Sequence, residues 1–235
     1  MKRGKIKRGI RKQQNAKQRN LLFCLLILMF ILCLACALIL FGSSRQRRKP
    51  IQVEHNPCSP TITLTFDDGP NATYTPQVLD ILYQYQVPAT FFVVGEKVEK
   101  NEQLIREMDA CGHEIQLHSF SHPDLTTLSC KEIQREFRLT EKKIQEILPD
   151  YSANYFRPPY GRYTEDTEKI VSIPMMLWTL DSRDWKSPNA QDIFDTVMCS
   201  VQDGDIIIFH DDNAETVKAL ELLIPALREK GFQFK

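Results

Sequence analysis

Acidic residues are missing from the first 50 positions of this 235-residue chain, and charge of either sign is missing from residues 21–41. The first absence leaves nine Lys or Arg between residues 2 and 19, and four more between 45 and 49, with nothing to balance them. The second excludes a water-exposed segment. A helix of 21 residues rich in Leu, Ile, Phe, Cys and Ala, at about 1.5 Å per residue, matches the hydrocarbon core of a bilayer. The basic bias places the N-terminus inside and everything beyond the span outside. A cleaved signal peptide is the competing reading, since Ala35, Cys36 and Ala37 form an A-x-A-like site, yet Leu38 to Phe41 carry the apolar run past that cut. A lipid-modified Cys36 fits less well still, because Cys33 stands where a lipoprotein signal has Leu.

Internal repeats are absent, as is any low-complexity tract beyond the basic front end. The formal net charge is zero, but only 17 basic residues face all 30 acidic ones from Ile51 onward. Such a field repels nucleic acid and favours neutral or cationic partners. The basic arm itself is accounted for by topology and lipid headgroup contact. The organisation expected is a basic cytoplasmic N-terminus (1–20), a membrane helix (21–41), a stalk rich in Ser, Arg, Lys, Pro and Gln (42–59) and one outer domain (60–235). Fully extended, the stalk reaches at most about 60 Å. Four of the seven cysteines, Cys58, Cys111, Cys130 and Cys199, fall outside the span region. In an oxidising compartment they allow two disulfides in three pairings, although a domain of this size builds a core without one.

From Thr61 onward β-rich runs alternate with helical patterns, which signifies a β/α fold. Strands are expected at 61–66, 89–94, 113–117, 155–156, 174–178, 205–210 and 232–234, and helices at 76–85, 97–110, 130–148, 165–171, 190–201 and 214–230. Ser129 and Glu132 form a capping box for the helix from Cys130, and Ile133, Phe137, Ile144 and Leu148 give it a core face. Pro225 is expected to kink or restart the last helix.

Five short segments fall at or just after strand ends, where parallel β/α barrels assemble sites from separate loops. Asp67 and Asp68 close a strand before Gly69-Pro70, so adjacent carboxylates point differently; one can ligate a metal while the other takes a proton. His118 and His122, four apart, can present both imidazoles to one ion if the segment makes a helical turn, and with one Asp they give a three-ligand open site. His113 reads as a strand-edge structural residue. Arg157 precedes two prolines that fix its guanidinium where it can steer a carboxylate, with Asp67 the natural partner, and Tyr160-Gly161 ends that loop with a backbone N–H for an oxyanion. Asp184-Trp185 and Ile208-Phe209-His210 supply an acid beside an aromatic wall and a histidine that can protonate a leaving group, with Asp184 raising its pKa. Each segment alone has an ordinary explanation: turn acids, a chance His pair, a Pro turn, or a core-edge histidine satisfied by Asp211 or Asp212.

Together these segments resemble the NodB-homology polysaccharide deacetylases, carbohydrate esterase family 4, over roughly Thr61 to Phe234. The resemblance rests on Thr65-Phe-Asp-Asp-Gly-Pro70, His118-Ser-Phe-Ser-His122 and Arg157-Pro-Pro-Tyr-Gly161, with Asp181-Ser-Arg-Asp-Trp185 and Ile208-Phe-His210 following in order. It implies a distorted (β/α) barrel that hydrolyses acetyl groups from N-acetylated sugars with a divalent metal, usually Zn²⁺, with Co²⁺, Ni²⁺ or Mn²⁺ as alternatives. By the same resemblance Asp67 is the base, and Asp68, His118 and His122 are the metal ligands. Arg157 orients Asp67, Tyr160 supplies the oxyanion-hole N–H, and His210 is the acid with Asp184 as its partner. Trp185 and Ile208 then wall the acetyl pocket. Two departures stand out: Ile208 where the family more often has Leu, and Gln116 in place of a small residue near the histidines, which puts fine substrate fit in doubt. The chain is expected to end without a carbohydrate-binding module, so polymer affinity rests on the barrel surface. Peptidoglycan is the first-ranked substrate; chitin oligomers, a poly-N-acetylglucosamine polymer, an acetylated xylan and an inactive membrane-tethered glycan-binding scaffold are the alternatives.

Overall fold

The computed structural model describes residues 48–52, 56 and 59–235, together with Met29. The chain divides into two units, Met1–Arg48 and Lys49–Lys235. The basic arm and the expected membrane span lie outside the described residues apart from Met29, which is helical. Among the described residues no helix is long and apolar enough to cross a membrane.

The second unit is built on a parallel sheet. Its centre is β1 (Thr61–Asp67), flanked by β2 (Thr90–Val93) and β5 (Ile206–His210). Beyond these, β3 (Glu114–Leu117) pairs with β2 and β4 (Leu180–Asp181) pairs with β5, while β6 (Gln233–Phe234) pairs with Thr61 and Ile62. Helices α1 (Thr75–Gln84), α2 (Gly95–Val98), α3 (Glu102–Cys111), α4 (Cys130–Ile147), α5 (Thr167–Val171), α6 (Ala190–Ser200) and α7 (Ala214–Glu229) fill the crossovers.

The period of two along β1 decides what each face does. Ile62, Leu64 and Phe66 are buried in the apolar core, with the Phe66 ring 5.1 Å from Phe91 and 5.8 Å from Phe209. Thr65 and Asp67, on the other face, are equally buried but polar, and both bind Arg157. On α4 the Ser129 N–H donates to Glu132 Oε2 at 2.8 Å, closing the capping box, and Ile133, Phe137 and Ile144 are buried. The last helix continues through Pro225 without a break, because Val217, Leu220, Leu223 and Leu227 anchor its buried stripe on both sides of the proline.

Three expectations need correction. The helix at 97–110 is interrupted: α2 passes into a 3₁₀ turn at Glu99–Asn101, and α3 starts only at Glu102. The strands at 155–156 and 174–178 shrink to single bridges, Leu117 to Phe156 and Phe156 to Met175. The physical reason is that the Met176 and Leu177 carbonyls accept from the Arg157 side chain, at 2.9 and 3.1 Å, and so are diverted from any strand ladder. The sheet order is β3-β2-β1-β5-β4, and the two bridges add Phe156 and Met175 in turn beyond β3.

Cys130 and Cys199 are free and exposed, Cys111 is buried, and Cys58 lies outside the described residues. The chain enters this unit at the strand-start end, where the Ile51 N–H donates to the Cys111 carbonyl and the Asn56 N–H to Gln233 Oε1, both at 2.9 Å.

Phe66→Ala is expected to lower unfolding free energy by about 3–5 kcal/mol, and Ser129→Ala by about 1 kcal/mol. Denaturant titration measures both, and the reverse ranking would contradict this packing.

Candidate active site

The ends of the parallel strands converge on a cavity of about 740 Å³ lined by Asp67, Asp68, His118, His122, Tyr160, Asp184, Trp185, Ile208 and His210. Arg157 alone of the sequence-selected residues does not reach its surface. It lies behind Asp67, fully buried.

Arg157 Nη1 donates to Asp67 Oδ1 at 2.6 Å and to Thr65 Oγ1 at 2.8 Å, and its guanidinium lies 4.0 Å from the Phe92 ring centroid. Burial lowers its pKa, and the Asp67 carboxylate opposes that shift. The Arg157 backbone carbonyl serves a second residue, lying 2.9 Å from His118 Nδ1. A carbonyl only accepts, so Nδ1 carries the hydrogen and, in the neutral ring, the Nε2 lone pair faces the cavity.

Asp68 sits at φ 71°, a left-handed conformation that breaks the strand's alternation and turns its carboxylate toward the histidines. Its Oδ1 is 3.3 Å from His118 Nε2 and 3.0 Å from His122 Nε2. The two histidines are not on a helical turn, contrary to the simplest reading of their spacing. They bracket a loop in which Ser119 and His122 have φ values of 65° and 58°, and the Ser119 hydroxyl accepts the His122 N–H at 3.1 Å. Burial raises the Asp68 pKa, but the imidazoles beside it outweigh burial and hold the carboxyl well below the usual carboxylate range. Asp68 Oδ1 is buried and meets no donor other than these two imidazoles, and one candidate ligand atom from each of Asp68, His118 and His122 lies within 4.8 Å of the others. Three converging lone-pair donors with an anionic carboxylate among them fit a divalent cation, and three protein ligands leave coordination positions open.

Across the cavity, Asp184 Oδ1 lies 2.8 Å from His210 Nδ1, and its Oδ2 accepts the His210 N–H and the Thr216 hydroxyl, both at 2.7 Å. The partner of His210 is thus Asp184, not Asp211 or Asp212. Burial lowers the His210 pKa, but Asp184, aided by the charges of Asp67 and Asp68, outweighs it and pushes the value up to about 9. Trp185 and Tyr160 are 61% and 62% exposed, accessible to a ligand at the mouth, whereas Ile208 is buried in the wall.

Sequence reasoning did not select Trp178, Asp181 or Asp212, which also line the cavity. It also passed over Thr65 and Thr216, whose roles depend on partners 92 and 32 residues away. Asp181 opens a segment already singled out and Trp178 lies just before it; the threonines carry no local signal. His113 packs edge-on against Phe91 at 5.4 Å and is not part of the Asp68, His118 and His122 cluster. Gln116 is not among the cavity-lining residues: its Oε1 accepts the Asn154 and Tyr155 N–H groups at 3.0 and 2.9 Å, so it ties β3 to the next segment.

A histidine whose folded pKa stands near 9, above its ordinary 6.5, contributes stability that is complete below about pH 6.5 and is lost as pH rises through about 9. In metal-free protein this loss is expected to be on the order of 3 kcal/mol, and Asp184→Asn should remove most of it. Urea titrations between pH 6 and 10 measure both. A parallel pH dependence in the two proteins would show that Asp184 does not hold the proton on His210.

Comparison with known proteins agrees with this geometry. The family model described as polysaccharide deacetylase matches residues 54–173. A chitooligosaccharide deacetylase of Sinorhizobium fredii is 39% identical over 190 residues, covering 74% of this chain and 88% of that protein. A peptidoglycan-N-acetylglucosamine deacetylase of Bacillus cereus is 37% identical over 186 residues, covering 74% of this chain and 84% of its own. The solved structure of the peptidoglycan deacetylase PdaC from Bacillus subtilis superposes with a TM-score of 0.73 at 37% identity, covering 77% of this chain and 89% of that one. Motifs, parallel fold and relatives coincide, and the chain belongs to the NodB-homology polysaccharide deacetylase family.

Proposed function

We propose that this protein removes N-acetyl groups from an N-acetylglucosamine-containing glycan, with peptidoglycan as the first-ranked substrate and Zn²⁺ held by Asp68, His118 and His122. The observation that carries this reading is the pairing across one cavity of Asp67, fixed by Arg157, with His210, fixed by Asp184.

A cation held by those three residues supplies a Lewis acid for the amide carbonyl and a more acidic water. The protein's own groups do the rest. Asp67, with Oδ1 fixed by Arg157, has Oδ2 available to take a proton from the attacking water. His210, with Nδ1 committed to Asp184, presents Nε2–H to the departing nitrogen as the carbon–nitrogen bond breaks. The Tyr160 N–H is the oxyanion donor, and Trp185 and Ile208 enclose the acetyl methyl. The products are acetate and a glucosamine unit whose ammonium suits an acidic domain.

Relatives named for peptidoglycan and for chitooligosaccharides are almost equally similar, at 37% and 39% identity, so chitin-type oligomers are the second substrate. The scaffold reading is disfavoured because Asp67, Asp68, His118, His122, Arg157, Asp184 and His210 are all present. We also propose residues 21–41 as a membrane anchor, with the 60–235 domain outside the cell.

Acetate release from peptidoglycan and from N-acetylglucosamine oligomers is expected with Zn²⁺ and not with chelator. Asp67→Asn should lower turnover by about 10²–10⁴-fold. A folded protein that binds Zn²⁺ yet releases no acetate from any acetylated glycan would favour the scaffold.

A further inference from the structure

The loop between the two histidine ligands has no ladder to hold it, yet its geometry is unusually constrained. Ser119 and His122 both occupy left-handed backbone conformations, at φ 65° and 58°, a region non-glycine residues enter at a cost unless their surroundings hold them there. On one side the loop's carbonyls are taken up by α2: the Gly95 N–H donates to Ser119 O and the Glu96 N–H to Phe120 O, each at 3.0 Å. On the other side, the two N–H groups at the loop's centre have a single acceptor. Phe120 and Ser121 donate to Glu136 Oε2 at 2.9 and 2.7 Å, and the Ser121 hydroxyl lies 3.1 Å from the same oxygen.

Glu136 is set well inside α4, and its own position is fixed. Its backbone carbonyl accepts from the Thr140 hydroxyl at 3.0 Å. That hydroxyl packs so closely on Gly95 that a Cβ there would lie 2.7 Å from it and 2.4 Å from the Phe120 ring. Helix α4, the start of α2 and the histidine loop are therefore locked at close contact, with the Glu136 carboxylate as the link that receives the loop's amides.

We infer that Glu136 is a positioning residue for the metal centre: its carboxylate gathers the Phe120 and Ser121 amides and so holds His122 in the left-handed conformation that brings its Nε2 to Asp68. This inference rests on reading Asp68, His118 and His122 as metal ligands. Removing the carboxylate leaves both amides without their acceptor and lets the loop relax, which moves one ligand of three. The effect belongs to metal affinity, because Glu136 touches neither the cavity nor a ligand side chain.

The test is the Zn²⁺ affinity of the metal-stripped full-length protein, measured by competition with a chromophoric chelator, with circular dichroism confirming the fold. Glu136→Ala is expected to weaken Zn²⁺ binding by about 10- to 100-fold, the range for groups that orient metal ligands. Glu136→Gln, which keeps an oxygen able to accept both N–H groups, should stay within about threefold of the native protein. Lys143→Ala disturbs ion pairs on the same helix without touching the loop and should leave affinity unchanged. If Glu136→Ala fails to fold, Glu136→Met, which keeps the stem's packing, takes its place. Native-like affinity in the Ala or Met variant would overturn the inference alone, as would an equal loss in the Gln variant. A native protein that binds no Zn²⁺ would overturn the metal reading and this inference with it.

Discussion

The buried ion pair between Arg157 and Asp67 is the constraint on which the rest of the fold and site depends. A guanidinium removed from water is costly unless each of its donors finds an acceptor. Here the acceptors are Asp67 Oδ1, Thr65 Oγ1 and the Met176 and Leu177 carbonyls, between 2.6 and 3.1 Å. Two of those are backbone groups that would otherwise serve a strand. The backbone is therefore irregular at 176–177 for the same reason that Asp67 is rigid. Lysine, with a single ammonium and no fork, cannot reach both strand edges at once. The Arg157 carbonyl also fixes the His118 tautomer, so one residue disciplines both the carboxylate that receives a proton and a nitrogen that donates a lone pair.

The adjacent carboxylates illustrate how a small backbone change divides labour. In a continuing strand, Asp68 would face away from Asp67 and into the helix layer. The left-handed turn at Asp68, with its carbonyl held by Lys97 Nζ at 2.6 Å, brings its carboxylate back to the mouth, beside the histidines and apart from Arg157. Asp67 thus has a permanent cation as its partner, while Asp68 has two imidazole nitrogens beside it. The same sequence pair yields a group suited to proton transfer and a group suited to ligation.

Much of this was legible in the residues. Regular strands at β1, β2, β3 and β5 and the capped helix α4 follow from local pattern and end within a few residues of expectation, and the chemistry-bearing side chains cluster at strand ends as the parallel order requires. What was not legible depends on distant groups. The absent strand at 174–178 has ordinary strand-like composition and is lost only because Arg157 competes for its carbonyls. The His118 to His122 spacing suits a helix in isolation, but the loop wins because Ser119 and Glu136 satisfy its amides outside any helix. Gln116 looked like a substrate-facing departure and is instead a clamp on the Asn154 and Tyr155 amides. Period and capping are written locally; the competition for backbone hydrogen bonds is not.

Acid–base hydrolysis needs one group lacking a proton and another carrying one, at the same pH and across the same cavity. Proximity favours the two charged forms, but it would also let the carboxylate and the imidazolium pair with each other. The fold separates them by giving each its own partner: the buried Arg157 at 2.6 Å for Asp67, and Asp184 at 2.8 Å for His210. Asp184 is in turn held by the Thr216 hydroxyl and the His210 N–H, so both of its oxygens are committed. The charges of Asp67 and Asp68 also favour the imidazolium, whereas a cation at the His118–His122 cluster opposes it. A cation held there would therefore lower the His210 pKa from about 9, easing release of its proton to a leaving group.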